Sequence, residues 1–100
     1  MIIIYTTCKD ETTAKKIAKA LLDEKLVACA NLFQCRSLYN WEGKFCDEGE
    51  CAMIMKTRPE RRDEVQRRIK ELHGYDLPCI ESIDAEASRE FEAWIRAETS

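Results

Sequence analysis

The sequence predicts a single α+β domain of element order β-α-β-β-α-β followed by one more helix, and three observations lead there. Its 100 residues suffice for one core and not for two. Two separate stretches repeat apolar residues at helical spacing, each with charged residues on the other side. Between them, two long apolar runs flank a single turn at Glu42-Gly43-Lys44, the pattern of a hairpin. Hydrophobic residues make up 45% of the chain against 35% charged, with three Gly and two Pro, so there is enough apolar surface for a core and no repeat or low-complexity signature.

Met1 to Thr7 is apolar and β-branched, the pattern of a strand buried on both faces. Asp10 follows as an N-cap, with Glu11 at the positive end of the helix dipole. Ala14, Ile17, Ala18 and Leu21 form the apolar stripe of a helix reaching about Glu24, while Lys15, Lys16 and Lys19 face out. Leu26 to Leu38 reads as the second strand, with a bulge near Gln34-Cys35, continuing through Trp41 to the turn. Phe45 to Thr57 returns as the third. With Gly43-Lys44 as the turn, Cys46 lies opposite Trp41 and Cys51 opposite Arg36. A three-residue loop would instead set Cys35 against Cys51, where a cross-strand disulfide could close in an oxidising setting.

Pro59 suits a first helical turn and starts the second helix. Val65, Ile69 and Leu72 give its stripe, Asp63 with Arg67 and Glu64 with Arg68 are acid-first i,i+4 pairs, and Gly74 offers a left-handed C-cap. Tyr75 to Pro78 is an extended connector and Cys79 to Ile83 a fourth strand. Ser88 caps the last helix, with Phe91, Trp94 and Ile95 facing inward. Right-handed crossovers turn this order into a ferredoxin-like sandwich, its antiparallel sheet covered by helices on one face. The hairpin is longer than such a sandwich can use internally, so a closed cyclic oligomer is expected to cover the rest.

Composition excludes several functions. The net charge of −3 speaks against nucleic acid as main partner, and residues 56–71, with seven basic against four acidic residues, read as a solvated helix face. No apolar run is long enough to cross a membrane. The first residues lack the basic and apolar regions of a signal peptide, so a reducing, cytoplasmic setting is expected for the six cysteines, Cys8, Cys29, Cys35, Cys46, Cys51 and Cys79. They contain no C-x-x-C, and the lone His73 cannot complete a zinc-finger set. Nor is there a base positioned for a thiol nucleophile, so no enzyme is expected. The same topology serves RNA-recognition domains, copper chaperones and acylphosphatases. The aromatic-basic strands, paired thiols and Arg-bearing Gly-rich loop that those functions need are all missing.

Three segments then carry a resemblance: Ala28-Cys29-Ala30-Asn31-Leu32, Ser37-Leu38-Tyr39-Asn40-Trp41-Glu42-Gly43-Lys44 and Met53-Ile54-Met55-Lys56-Thr57. Together with His73-x-Tyr75-x-x-Pro78 and Trp94-Ile95, they resemble the CutA divalent-cation tolerance family along the whole chain. The resemblance implies a cytoplasmic homotrimer joined by the long hairpin, similar in shape to PII-type signalling proteins, which binds or responds to metal ions. No cofactor is required; copper or another divalent ion is the candidate it implies. By the same resemblance, Cys29 matches the second-strand cysteine and His73 a histidine found in several members. A first-strand cysteine of some members falls at Thr6, with Cys8 two residues on, and Cys79 stands where the family usually has Glu. The implied metal ligands are thus Cys29, His73, Cys8 and Cys79, and the implied inter-subunit cleft holds Tyr39, Trp41 and Lys56. The alternative is a PII-like trimeric sensor taking a small anionic ligand in that cleft.

Overall fold

A computed structural model describes residues 1–100. The chain runs β1 (Ile2–Cys8), α1 (Glu11–Asp23), β2 (Cys29–Trp41), β3 (Lys44–Thr57), a 3-10 turn at Pro59–Arg61, α2 (Arg62–Leu72), β4 (Ile80–Asp84) and α3 (Arg89–Glu98). The strands form one antiparallel sheet in the order β2-β3-β1-β4, the ferredoxin-like arrangement expected. Strands of 13 and 14 residues at about 3.4 Å per residue account for a molecule 45 Å long and only 23 Å by 21 Å across.

Helices α1 and α2 cover one face. Ile2, Ile4, Thr6 and Cys8 point into it, directly opposite Thr57, Met55, Met53 and Cys51 of β3, and all eight are buried. Ala14, Ile17 and Leu21 from α1 and Val65 and Ile69 from α2 close the core. Alternate β1 residues are only half-buried on the uncovered face, so β1 is not buried on both faces as its composition suggested. A lone chain has no second layer there.

Local chemistry explains most element ends. The Thr13 N–H donates to Asp10 Oδ1 at 2.8 Å, the N-cap read from sequence. Lys25, at φ +58°, closes α1: its N–H donates to Leu22 O and that of Leu26 to Leu21 O, a Schellman end built without glycine. The hairpin turn is Glu42-Gly43, both at positive φ (+51° and +78°), the type I′ geometry that matches strand twist.

Several expectations need correction. With Glu42-Gly43 as the turn, the ladder runs unbroken from Trp41↔Lys44 to Cys29↔Lys56, without a bulge. Cys46 therefore faces Tyr39, and Cys51 faces Gln34. Cys35 pairs with Glu50 and so lies on the opposite face of the sheet from Cys51; the two cannot bond, and all six cysteines are free. In α2 the expected i,i+4 pairs give way to better partners. Arg68 forks onto Glu24 beyond α1 at 2.9 and 3.0 Å, and Arg61 takes Glu64 at 2.9 Å. Gly74 does not turn left-handed. His73 leaves the helix in an extended conformation (φ −77°, ψ 142°), its ring held by other elements. In α3 the Ser88 cap forms, yet only Ile95 is buried; Phe91 and Trp94 pack on each other, 5.6 Å between centroids, and remain exposed. Ten residues at the sheet's end place one line of side chains against the domain.

Candidate functional site

Strand register sorts the functional candidates. Cys29, Cys35 and Cys46 alternate with the covered positions of β2 and β3, on the open face with Tyr39, Trp41, Glu48, Glu50 and Lys56. Glu81 of β4 shares that face through its pairing with Tyr5. Cys8 and Cys51 point the other way, into the core.

The connector after α2 folds back over the open face and makes a cleft of about 640 Å³. Its walls include Tyr39, Trp41, Glu48, Glu50, Tyr75 and Cys79, with Asp76 and Lys9 at the rim. Two ties hold the connector down. The Tyr75 hydroxyl donates to Glu50 Oε2 at 2.7 Å, and the His73 ring bridges two backbone segments. His73 Nε2–H donates to the Thr7 carbonyl at 2.7 Å, while Nδ1 accepts the Tyr75 N–H at 3.3 Å. Those partners fix the Nε2-protonated tautomer and leave neither ring nitrogen free.

The Cys79 thiol donates to Glu81 Oε2 at 3.2 Å. Burial and then that carboxylate push its pKa up to about 11, so it is a thiol at neutral pH. Burial does the same to Cys8, also to about 11, helped by Cys51, Glu50 and Asp10.

The four implied ligands do not converge within one chain. His73 and Cys79 both border the connector. Cys8 lies on the core side of the sheet, its thiol against Met53 Sδ at 3.5 Å. Cys29 pairs with Lys56 at the level of Ile3, five residues down β1 from Cys8, or about 17 Å at strand spacing. Lys56 is tied to Asn31 at 3.0 Å at that same far end, whereas Tyr39 and Trp41 line the cleft near the hairpin tip. No group of three His, Cys, Asp or Glu side chains stands ready to hold a metal ion. The cleft's own acids, Glu48, Glu50 and Asp76, and the neighbouring Glu81 that holds Cys79, were not singled out from the sequence. The period-2 spacing of Glu48 and Glu50 was the available signal, and it reads equally well as a solvated strand face.

A family model described as CutA1 divalent ion tolerance protein matches residues 2–98. The chain belongs to the CutA1 divalent ion tolerance family. Among CutA relatives, the divalent-cation tolerance protein CutA of Pyrococcus horikoshii is 46% identical over 99% of this chain and 98% of its own length. A crystal structure of CutA1 from that organism superposes with a TM-score of 0.97 at 44% identity, covering 100% of this chain and 99% of that one. A PII-like protein CutA from Nostoc sp., in apo form, reaches 0.94 at 33% identity over 100% of this chain and 98% of its own. A CutA structure from Archaeoglobus fulgidus, described as periplasmic, matches at 0.96 and 42%, with full coverage of both chains. No helix of the present chain is long and apolar enough to cross a membrane.

Proposed function

We propose that this chain is a non-catalytic, homotrimeric CutA protein that binds divalent metal ions such as copper, and that the ion enters the cleft beneath the 75–78 connector. The carrying observation is the cleft's chemistry: Glu48, Glu50, Asp76 and Cys79 line it against one lysine, Lys9, and Glu81 accepts from the Cys79 thiol just beyond the lining. Carboxylates beside a thiol suit a borderline divalent cation. Because no three His, Cys, Asp or Glu side chains converge in a single chain, the ligand set is completed by rotation of the glutamates or by a second subunit. His73 serves as a strut in this reading, since both ring nitrogens are engaged. Cys29 and Cys8 lie outside the cleft.

The same acid surplus disfavours the PII-like alternative with an anionic ligand, because like charge and desolvation would both oppose it. Catalysis is disfavoured by thiols raised rather than lowered in pKa, the reverse of what a cysteine nucleophile needs.

Trimerisation draws support from uncovered apolar surface. Phe45 is 70% exposed and Leu38 63%, and Phe33, Trp41 and Ile83 add to them along a sheet whose β2 edge has no partner. Six unpaired thiols suit a reducing compartment, and we place the protein in the cytoplasm.

Titration calorimetry with Cu(II) tests the site. Cys79→Ser and Glu81→Gln are each expected to weaken binding at least tenfold, and unchanged affinity in both would remove the cleft. Light scattering after size exclusion should return three chains per particle; a monomer would overturn the oligomeric reading.

A further inference from the structure

On the other face of the sheet lies a second group of donors that the cleft does not use. Cys8 ends β1 directly opposite Cys51 of β3, and Met53 is the next residue of β3 on that face. Each of the three is at most 1% exposed. The Cys8 thiol already touches Met53 Sδ at 3.5 Å. The pair of strand positions holding the two thiols puts their Cβ atoms about 5 Å apart, a span one ion can bridge. Beside them Thr6, directly opposite Met53 and fully buried, has a hydroxyl with no hydrogen-bond partner. An orphan donor is costly in a core that only packs.

We propose that Cys8, Cys51 and Met53 form a buried three-sulfur site for a soft monovalent cation of the Cu(I) or Ag(I) type, distinct from the acidic cleft.

The donor set selects the ion. Two thiolates and a thioether are soft ligands, and they belong to an apolar core cluster that also holds Ala14 and Ile17, so a hard, hydrated divalent cation would find one neutral hydroxyl, Thr6, and no carboxylate. Metal–sulfur bonds of about 2.3 Å in a trigonal plane put the sulfurs about 4 Å apart. Cys8 and Met53 would separate by roughly half an ångström from their present contact, within reach of methionine's flexible side chain. On loading, each thiol sulfur exchanges its S–H bond for a bond to the metal, and both protons leave to solvent. The ion stays in its +1 state throughout. The Thr6 hydroxyl then has a thiolate nearby to receive its hydrogen bond.

The test isolates the buried pair. A full-length chain carrying Cys29→Ser, Cys35→Ser, Cys46→Ser and Cys79→Ser, confirmed folded by circular dichroism, is titrated anaerobically with Cu(I) against a coloured Cu(I) chelator. It is expected to withdraw one equivalent per chain, weakened at least tenfold by adding Met53→Leu and abolished by adding Cys51→Ala. No withdrawal, or withdrawal indifferent to both additions, overturns the site. Should the fourfold variant not fold, the natural chain decides. Its Ag(I) count by native mass spectrometry should fall by one with Cys51→Ala, and an unchanged count overturns the proposal. Cys79→Ser alone should leave this equivalent in place, so the buried site and the cleft stand or fall separately.

Discussion

The Tyr75 hydroxyl donates to Glu50 Oε2 at 2.7 Å and so fastens the connector after α2 to the open face of the central sheet. Glu50 is only 7% exposed, and this hydrogen bond holds its carboxylate. Tyr75→Phe leaves that carboxylate buried without its donor, which should cost about 1–3 kcal/mol in urea unfolding. A loss below a few tenths would mean that Glu50 rehydrates freely. The hydroxyl also reports on pH. Burial, then the Glu50 contact, hold its pKa above the ordinary tyrosine value of 10.0. A group raised on folding stabilises the native state below its unfolded pKa and loses that contribution as pH climbs through the folded value. Stability should therefore fall above about pH 10, and less steeply in Tyr75→Phe.

His73 connects the same region through its ring rather than through charge. His73→Ala removes the donor to the Thr7 carbonyl and the acceptor of the Tyr75 N–H. Unfolding should cost about 1–3 kcal/mol less than in the natural chain. Cu(II) affinity is expected to stay within about threefold, since less than 1 kcal/mol separates affinities that close. A tenfold loss without loosening of the fold would restore His73 as a ligand.

Asp10 gives an acid-side prediction. The Thr13 N–H holds its carboxyl below the usual carboxylate range, with Lys9 and Lys16 contributing. A group lowered on folding stabilises above its unfolded pKa and ceases to as pH falls through the folded one. Part of the drop in Tm below about pH 4 should thus vanish in Asp10→Asn, which keeps the cap without the titration. Asp10→Ala should also lower Tm at neutral pH. Parallel acid curves for Asp10→Asn and the natural chain would contradict this.

The hairpin turn is strained at one of its two residues. Glu42 at φ +51° carries a side chain where asparagine is preferred, and Gly43 at +78° needs no side chain at all. Glu42→Asn should raise stability by a few tenths of a kcal/mol, and Gly43→Val should lower it by about 1–2 kcal/mol. Since nothing lies within 4 Å of a Cβ at Gly43, that loss would be backbone strain alone. Equal stability of both variants would show a turn of another type.

Much of this was legible in the residues. Asp10 and Ser88 as caps, the stripes Ala14-Ile17-Ala18-Leu21 and Val65-Ile69, and a hairpin folding at Gly43 all depend on near neighbours, whose spacing the chain itself dictates. What the chain could not say is which contacts win when distant segments meet. Arg68 had an acid-first partner in its own helix and took Glu24 instead, because only the packed pair of helices presents a carboxylate squarely to its fork. Gly74 looked like a cap until His73 was anchored to Thr7, sixty-six residues away.

The sequence alone determined the order of elements, the helix-facing core and membership of a family, since all three rest on local period and residue identity. Tertiary structure decided the chemistry of the six cysteines. A strand alternates faces at every residue, so a one-residue change in the turn would have set Cys35 directly against Cys51 instead of against Glu50. With a two-residue turn, Cys8 and Cys51 meet inside the core, while Cys29, Cys35 and Cys46 face outward. The cleft, too, exists only because the connector is tied across the sheet by Tyr75 and His73, through contacts that no spacing in the chain encodes.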